Sequence, residues 1–194
     1  YKVGGIQSIA AMTFGSQTID KVDKIFGPGN QFVTIAKLLA TKYNVSIDMP
    51  AGPSELMVVS DNSGRSDFIA SDLLSQAEHG EDSQVILVTN SEKLANDTLK
   101  EVQKQSKKMN RFQTIEKVLK NSKIILLENK DELIKFSNFY GPEHLIICLK
   151  NRDLIDKIVN AGSVFIGNYS AESIGDYASG TNHTLPTNGY VRQY

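Results

Sequence analysis

Leu56-Met57-Val58-Val59, then Ser66–His79, then Val85-Ile86-Leu87-Val88 is the stretch that decides the fold. The two short runs are apolar at every position. A strand with one wet face alternates polar and apolar residues, so a run without alternation is buried on both faces. Between the runs, Phe68, Ile69, Leu73 and Leu74 recur at helical spacing, with Ser66 or Asp67 as the N-cap. Strand, helix, strand with no wet strand face predicts a parallel sheet flanked by helices.

The same alternation extends in both directions. Upstream, the spacing predicts a helix over Gly5–Phe14, a buried strand over Lys24–Phe26 and a helix over Pro28–Tyr43 whose first turn holds the proline. Downstream, the charged stretch Glu92–Lys120 reads as two helices with a solvated turn at Lys107-Lys108. Further β/α alternation follows in Ile124–Leu127, Asp131–Tyr140, Leu145–Cys148, Leu154–Val159 and Val164–Ile166. The fold class is α/β, mostly parallel sheets flanked by helices, in two incomplete Rossmann-like lobes. Met49-Pro50-Ala51-Gly52-Pro53-Ser54 is punctuation between periodic segments. Residues 1–50 read as the closing part of a cofactor lobe too short to own a core, and 54–194 as most of a catalytic lobe. The start at Tyr1 without methionine and the end without a polar tail read as a piece of a longer chain.

Composition narrows the function classes. The chain has 194 residues, 40% hydrophobic and 22% charged, with 21 basic against 22 acidic side chains. A formal net charge of −1 excludes a general nucleic-acid binder, which needs a basic footprint. No apolar run nears the roughly 20 residues of a membrane-spanning helix, so no membrane partner is expected. One cysteine, Cys148, in an apolar run allows no internal disulfide and points to a reducing, cytoplasmic location. With one thiol and three histidines, a zinc finger or iron–sulfur protein is excluded.

Polar residues that strands and helices do not need gather in five short segments. Gln76 and His79 stand three apart at a helix end and share one face, the spacing of two ligands to one metal ion. A histidine complementing the helix dipole has the same spacing. Glu143-His144 lies in a loop entering a strand; neighbours there point to opposite faces, so the two need not act as one unit. An imidazole suits a base near neutrality and a carboxylate suits water activation. Asp176 to His183 is a glycine- and hydroxyl-rich loop without periodicity, which packing does not explain. Gly27-Pro28-Gly29-Asn30 precedes a helix, where free N–H groups hold phosphate or simply close a tight turn. Ala51-Gly52-Pro53-Ser54-Glu55 lacks the Gly-x-Ser-x-Gly form of a nucleophile elbow.

Taken together, Val3–Gln7, Lys21–Asn30, Asp48–Glu55, Ala70–His79, Tyr140–Leu145 and Ala161–Pro186 resemble the histidinol dehydrogenases, in order and across almost the whole chain. The likeness thins over Glu92–Lys120, and Asn188 stands where relatives commonly carry an aromatic residue. The resemblance implies a zinc enzyme that oxidises L-histidinol to L-histidine through histidinal with two NAD, the last step of histidine biosynthesis. It implies Gln76, His79 and Asp176 as zinc ligands and Glu143 and His144 as acid–base groups. It further implies Ser54 and His183, with Gln76, His79, His144 and Asp176, against the substrate, and Gln7 and Asn30 against NAD. The family is a homodimer whose partner subunit completes the site with a histidine and a glutamate beyond Tyr194, so this piece alone is expected to be inactive or nearly so. A reading of another class is a degenerate α/β domain that keeps the fold without turnover.

Overall fold

A computed structural model describes residues 1–50, 52–177, 179–181 and 185–193, excluding the side chain of Asp176. The first parallel sheet is small. Helix α1 (Gly5–Phe14), strand β1 (Lys24–Ile25), helix α2 (Gln31–Ala40), a 3-10 turn at Thr41–Tyr43 and strand β2 (Ser46–Ile47) follow in order. Lys24 and Ile25 pair with Ser46 and Ile47. Contrary to the expectation from its length, this part has a small core of Ile9, Ile25, Ala40 and Val45. Burial there stops early: Ile6, Phe14, Leu39 and Tyr43 stay exposed.

Pro28 does not open α2. The helix begins three residues later because Asn30 caps it, its Oδ1 accepting from the N–H groups of Phe32 and Val33 at 3.1 Å each. The loop before the cap is clamped by a buried ion pair. Lys37, 3% exposed, donates to the Gly27 carbonyl at 2.8 Å and pairs with Asp48. Asp48 Oδ2 in turn accepts the Gly27 N–H at 2.8 Å. Burial raises the Asp48 carboxyl, but the hydrogen bonds from Gly27, Lys37 and Met49 outweigh that and hold it below its ordinary value.

The second sheet carries the site. It is built from β3 (Glu55–Ser60), β4 (Gln84–Thr89), β5 (Lys123–Leu126), β6 (His144–Cys148) and β7 (Ser163–Ile166). The spatial order is β5-β4-β3-β6-β7, every neighbouring pair parallel. Period-two alternation divides the strand residues between two cores. Leu56, Val58, Val85, Leu87, Ile146 and Cys148 pack under α3 (Ser66–Ala77), α4 (Glu92–Ser106) and α5 (Phe112–Asn121). Met57, Val59, Ile86, Val88, Leu145 and Ile147 pack on the other side under α6 (Lys130–Tyr140). Both faces are therefore dry along the central strands, which is why those strands show no alternation.

Several boundaries differ from the sequence reading. α3 is capped by the backbone at Arg65 rather than by a Ser66 or Asp67 side chain, and it stops at Ala77. The segment read as Leu154–Val159 is a 3-10 turn over Arg152–Lys157, with only Leu154 buried, too little apolar surface to hold a longer element. β5 is an edge strand on which Ile124 and Leu126 are exposed. Among the described residues, no helix is long and apolar enough to cross a membrane.

Candidate active site

In a parallel sheet all strand starts lie along one edge, and each crossover helix returns its C-terminus to that edge. Glu55 opens β3, His144 opens β6 and Ser163 opens β7, with Leu56 paired to His144 and His144 to Ser163. The C-termini of α3 and α6 reach the same edge because β4 and β6 follow them. The polar segments singled out from the sequence at residues 54–55, 76–79 and 143–144 are thereby gathered from distant parts of the chain.

Glu143 is fixed from several sides. α6 ends in Gly141, whose left-handed φ of 67° lets its N–H reach back to the Ser137 carbonyl at 2.9 Å. Gly162 N–H donates to the Pro142 carbonyl at 3.0 Å and Ser163 N–H to the Glu143 carbonyl at 2.9 Å. A Cβ on Gly162 would lie 2.6 Å from the Glu143 carbonyl oxygen, so the glycine permits the close backbone approach. The Glu143 carboxylate accepts the Glu55 N–H at 2.9 Å, and the Ser54 hydroxyl also hydrogen-bonds it.

His144 lies on the α3 side of the sheet, in phase with Ile146 and Cys148. Its Nδ1 is 3.3 Å from the Glu55 carbonyl oxygen and 3.6 Å from Glu143 Oε2. The two neighbours therefore do meet. Opposite-face geometry applies within a strand, and Glu143 precedes β6 on a loop free to fold its side chain back. On the other side of the ring, Nε2 is 3.8 Å from Glu172 Oε1. Glu172 opens the 3-10 helix Glu172–Asp176, which packs on both β6 and α3.

The site is rich in buried carboxyls. Burial, together with the Glu55 and Glu172 charges and against the Glu55 N–H, pushes Glu143 up to about 8. Burial and the Glu172 charge push Asp72, one turn before Gln76, up to about 7. Burial also raises Glu55, whose Oε1 accepts the Asn188 N–H at 3.0 Å and whose Oε2 is buried with no hydrogen-bond partner among the described residues. Carboxyls that hold protons against one another's charge favour a cation in their midst.

Gln76 is 1% exposed, and its amide nitrogen is buried with no hydrogen-bond partner among the described residues. Since the two ends of a carboxamide exchange by a half-turn, the group is available to a ligand through its oxygen. His79 sits in the turn after α3, exposed, its N–H donating to the Gln76 carbonyl at 3.2 Å. The helix thus ends between the two residues, leaving one inward and one at the surface. The Asp176 side chain and His183 lie outside the described residues. Among the described residues, no group of three or more His, Cys, Asp or Glu converges on a metal position. A partnerless buried amide beside an excess of carboxyl charge is nonetheless a donor set that suits a divalent cation.

The two dinucleotide candidates lie in the first sheet's helices. Gln7 is exposed on α1, lining an apolar groove of about 400 Å³ between α1 and α2. Asn30 spends its side-chain oxygen on the α2 cap. Cys148 is buried and its thiol is pushed up to about 12, first by burial and then by the Asp72 and Asp61 charges, which leaves no reactive thiolate. Glu55, Asp72 and Glu172 were not singled out from the sequence for any role.

The fold is one shared by several oxidoreductases. A propionaldehyde dehydrogenase mutant from Clostridium phytofermentans superposes with a TM-score of 0.54 at 14% identity, over 95% of this chain and 54% of that one. Gamma-glutamyl phosphate reductase from Thermotoga maritima superposes with a TM-score of 0.57 at 13% identity, over 95% and 52%. Likeness at that level shows the architecture alone. The particular family follows from closer matches. A family model described as histidinol dehydrogenase matches residues 1–194. Histidinol dehydrogenase from Bacteroides fragilis strain YCH46 is 57% identical over 195 residues, 100% of this chain and 46% of the relative, and that from Vibrio cholerae is 54% identical. A crystal structure of the Elizabethkingia anophelis histidinol dehydrogenase superposes with a TM-score of 0.93 at 57% identity, over 100% of this chain and 45% of that one. The chain belongs to the histidinol dehydrogenase family, and it spans about half the length of the relatives it matches.

Proposed function

We propose that the chain forms the catalytic part of a zinc- and NAD-dependent enzyme that oxidises L-histidinol to L-histidine through histidinal. The observation that supports this most is the meeting of Glu143 with His144 at 3.6 Å, on the sheet edge to which α3 brings Gln76. In this reading residues 1–50 belong to a cofactor lobe and 54–194 to the catalytic lobe, in a homodimer in the cytoplasm.

Gln76, His79 and Asp176 would hold the zinc ion, and Gln7 and Asn30 would contact NAD. Zinc held there would supply Lewis-acid anchoring of the substrate, and NAD would accept a hydride in each oxidation. The chain's own residues handle the protons. The Glu55 carbonyl oxygen only accepts, so the neutral His144 ring carries its proton on Nδ1 and presents Nε2 as the base. Nε2 takes the carbinol proton of histidinol. Glu143, held by the Glu55 N–H and Ser54, takes a proton from water as that water adds to the aldehyde. Its elevated proton affinity matches a group that must bind and release a proton near neutrality. Ser54 and His183 would contact the substrate.

The test is NADH formation from L-histidinol with zinc, measured on a protein of the relatives' full length and on this 194-residue chain side by side. Histidinol-dependent turnover by the full-length protein, lost on His79→Ala, is the expected result. A folded, zinc-loaded full-length protein without turnover overturns the assignment.

A further inference from the structure

We propose that Glu172 is a positioning residue for the proton transfers, holding the His144 imidazole from its Nε2 side and steadying the positive charge that arises when Nε2 takes a proton. The proposal rests on the reading of His144 as the base.

The ring is held asymmetrically. On the Nδ1 side stand the Glu55 carbonyl at 3.3 Å and Glu143 Oε2 at 3.6 Å, which fix the ring plane and the neutral tautomer. On the Nε2 side stands Glu172 Oε1 at 3.8 Å. That separation is too long for a hydrogen bond but within ion-pairing reach, so the carboxylate does little for the neutral ring and much for the protonated one. An interaction that strengthens only after proton transfer lowers the barrier instead of merely tightening binding.

Glu172 is also placed rigidly enough to act this way. It is 4% exposed and sits at the start of a 3-10 helix packed on β6 and α3. Its backbone N–H donates to the Asp72 carboxyl, which ties that helix to the same face of α3 that ends in Gln76. Among the described residues, the acidic groups facing this pocket are Glu143 from the α6–β6 loop, Glu55 from β3, Asp72 from α3 and Glu172 itself. Among the described residues, Glu172 stands on the Nε2 side of the ring, its Oε1 3.8 Å away. A role confined to structure would need no carboxylate oxygen aimed at the ring; the same burial suits an amide.

Glu172→Gln is therefore the informative change, since it keeps the shape and removes the charge. In the full-length enzyme with zinc, kcat for histidinol oxidation is expected to fall about tenfold, with KM within about threefold of wild type and zinc per subunit unchanged. The acid limb of the kcat/KM profile is expected to move about one pH unit lower, about 1.4 kcal/mol of lost support for the protonated ring. In a His144→Asn background the same substitution should cost less than about twofold, because Glu172 acts through that ring. Unchanged kcat, a loss that disappears on saturation with zinc, or an undiminished loss in the His144→Asn background each overturns the proposal. A wild-type protein without histidinol turnover would sink the assigned function instead. In that event nitrogen-15 spectra of the His144 ring still decide: a Glu172→Gln variant whose Nε2 resonance titrates as in wild type refutes the contact.

Discussion

Glu143→Gln should stabilise the metal-free chain at pH 8 and leave it unchanged at pH 5, even as it removes the group proposed to activate water. Glu143 is 6% exposed and its carboxyl is raised from 4.5 to about 8 by burial, then by the charges of Glu55 and Glu172, against the pull of the Glu55 N–H. In the unfolded chain the same carboxyl ionises near its ordinary value. Between those two values the unfolded chain binds fewer protons than the folded one, so stability falls as pH rises through that window. At about 1.4 kcal/mol per pH unit, the whole interval is worth on the order of 5 kcal/mol. Glu55 and Glu172 relax part of it by taking up protons themselves, so one substitution recovers about 2 kcal/mol, or ~4–8 °C in Tm for a chain of this size. The glutamine keeps an oxygen for the Glu55 N–H now bonded at 2.9 Å, so no new polar group is orphaned. Urea denaturation from pH 5 to 8.5 with a chelator present measures both arms. A wild-type stability that is flat across this range, or a variant no more stable at pH 8, would refute the electrostatic account of the site.

Three further perturbations probe the backbone behind Glu143, the opposite edge of the second sheet and the α2 cap. Gly162→Ala puts a Cβ 2.6 Å from the Glu143 carbonyl oxygen; turnover of the full-length enzyme should fall about 10–10²-fold while circular dichroism stays native-like. Asp61, 1% exposed, is raised by burial but held at about 2 by Lys130, the Ser63 hydroxyl and N–H, and the Lys150 N–H. Its contribution is present above the ordinary carboxyl value of 3.8 and lost as pH falls through about 2, so Asp61→Asn should cost about 2 kcal/mol at pH 7 and much less at pH 2, read by denaturant titration at both. Asn30→Ala removes the α2 cap and should cost about 1 kcal/mol; if NAD affinity measured by calorimetry does not change as well, Asn30 serves the helix alone.

The fold was legible because its central strands are buried on both faces. Leu56–Val59 and Val85–Val88 carry that burial openly in their composition, and the structure extends each by a residue at either end, to Glu55–Ser60 and Gln84–Thr89. The elements that misled are those with little apolar surface, such as the 3-10 turn over Arg152–Lys157, or those decided by a cap, such as the start of α2 at Asn30. Glu143 and His144 were visible as polar residues at a strand's start, but their contact was not, since it depends on a loop side chain folding back. Glu55 reads as an ordinary residue beside a turn; its importance lies in its backbone, which donates to Glu143 and accepts toward His144, and no side-chain pattern encodes that. Glu172 and Asp72 lie 100 residues apart in sequence and meet only because a 3-10 helix returns from the far end of β7 to α3.

The location of the site also explains its sign. Open α/β sheets usually bind ligands at the carboxyl ends of their strands, where helix N-termini offer N–H groups that suit phosphate. Here Glu55, Glu143 and His144 lie at the opposite edge, where α3 and α6 end. Helix C-termini present carbonyl oxygens and the negative pole of the dipole, and the carboxyls of Asp72 and Glu143, raised to about 7 and about 8, hold protons that a cation would displace. Such an edge repels phosphate and attracts cations, which suits the proposed substrate, bearing an amine and an imidazole, and the proposed divalent metal. In the proposed reading, a phosphate-bearing cofactor would be better served near the Gly27–Asn30 loop of the first sheet, which Lys37 and Asp48 clamp ahead of the α2 N-terminus. In that reading the two sheets divide the work, each receiving the partner whose charge suits the helix pole it presents.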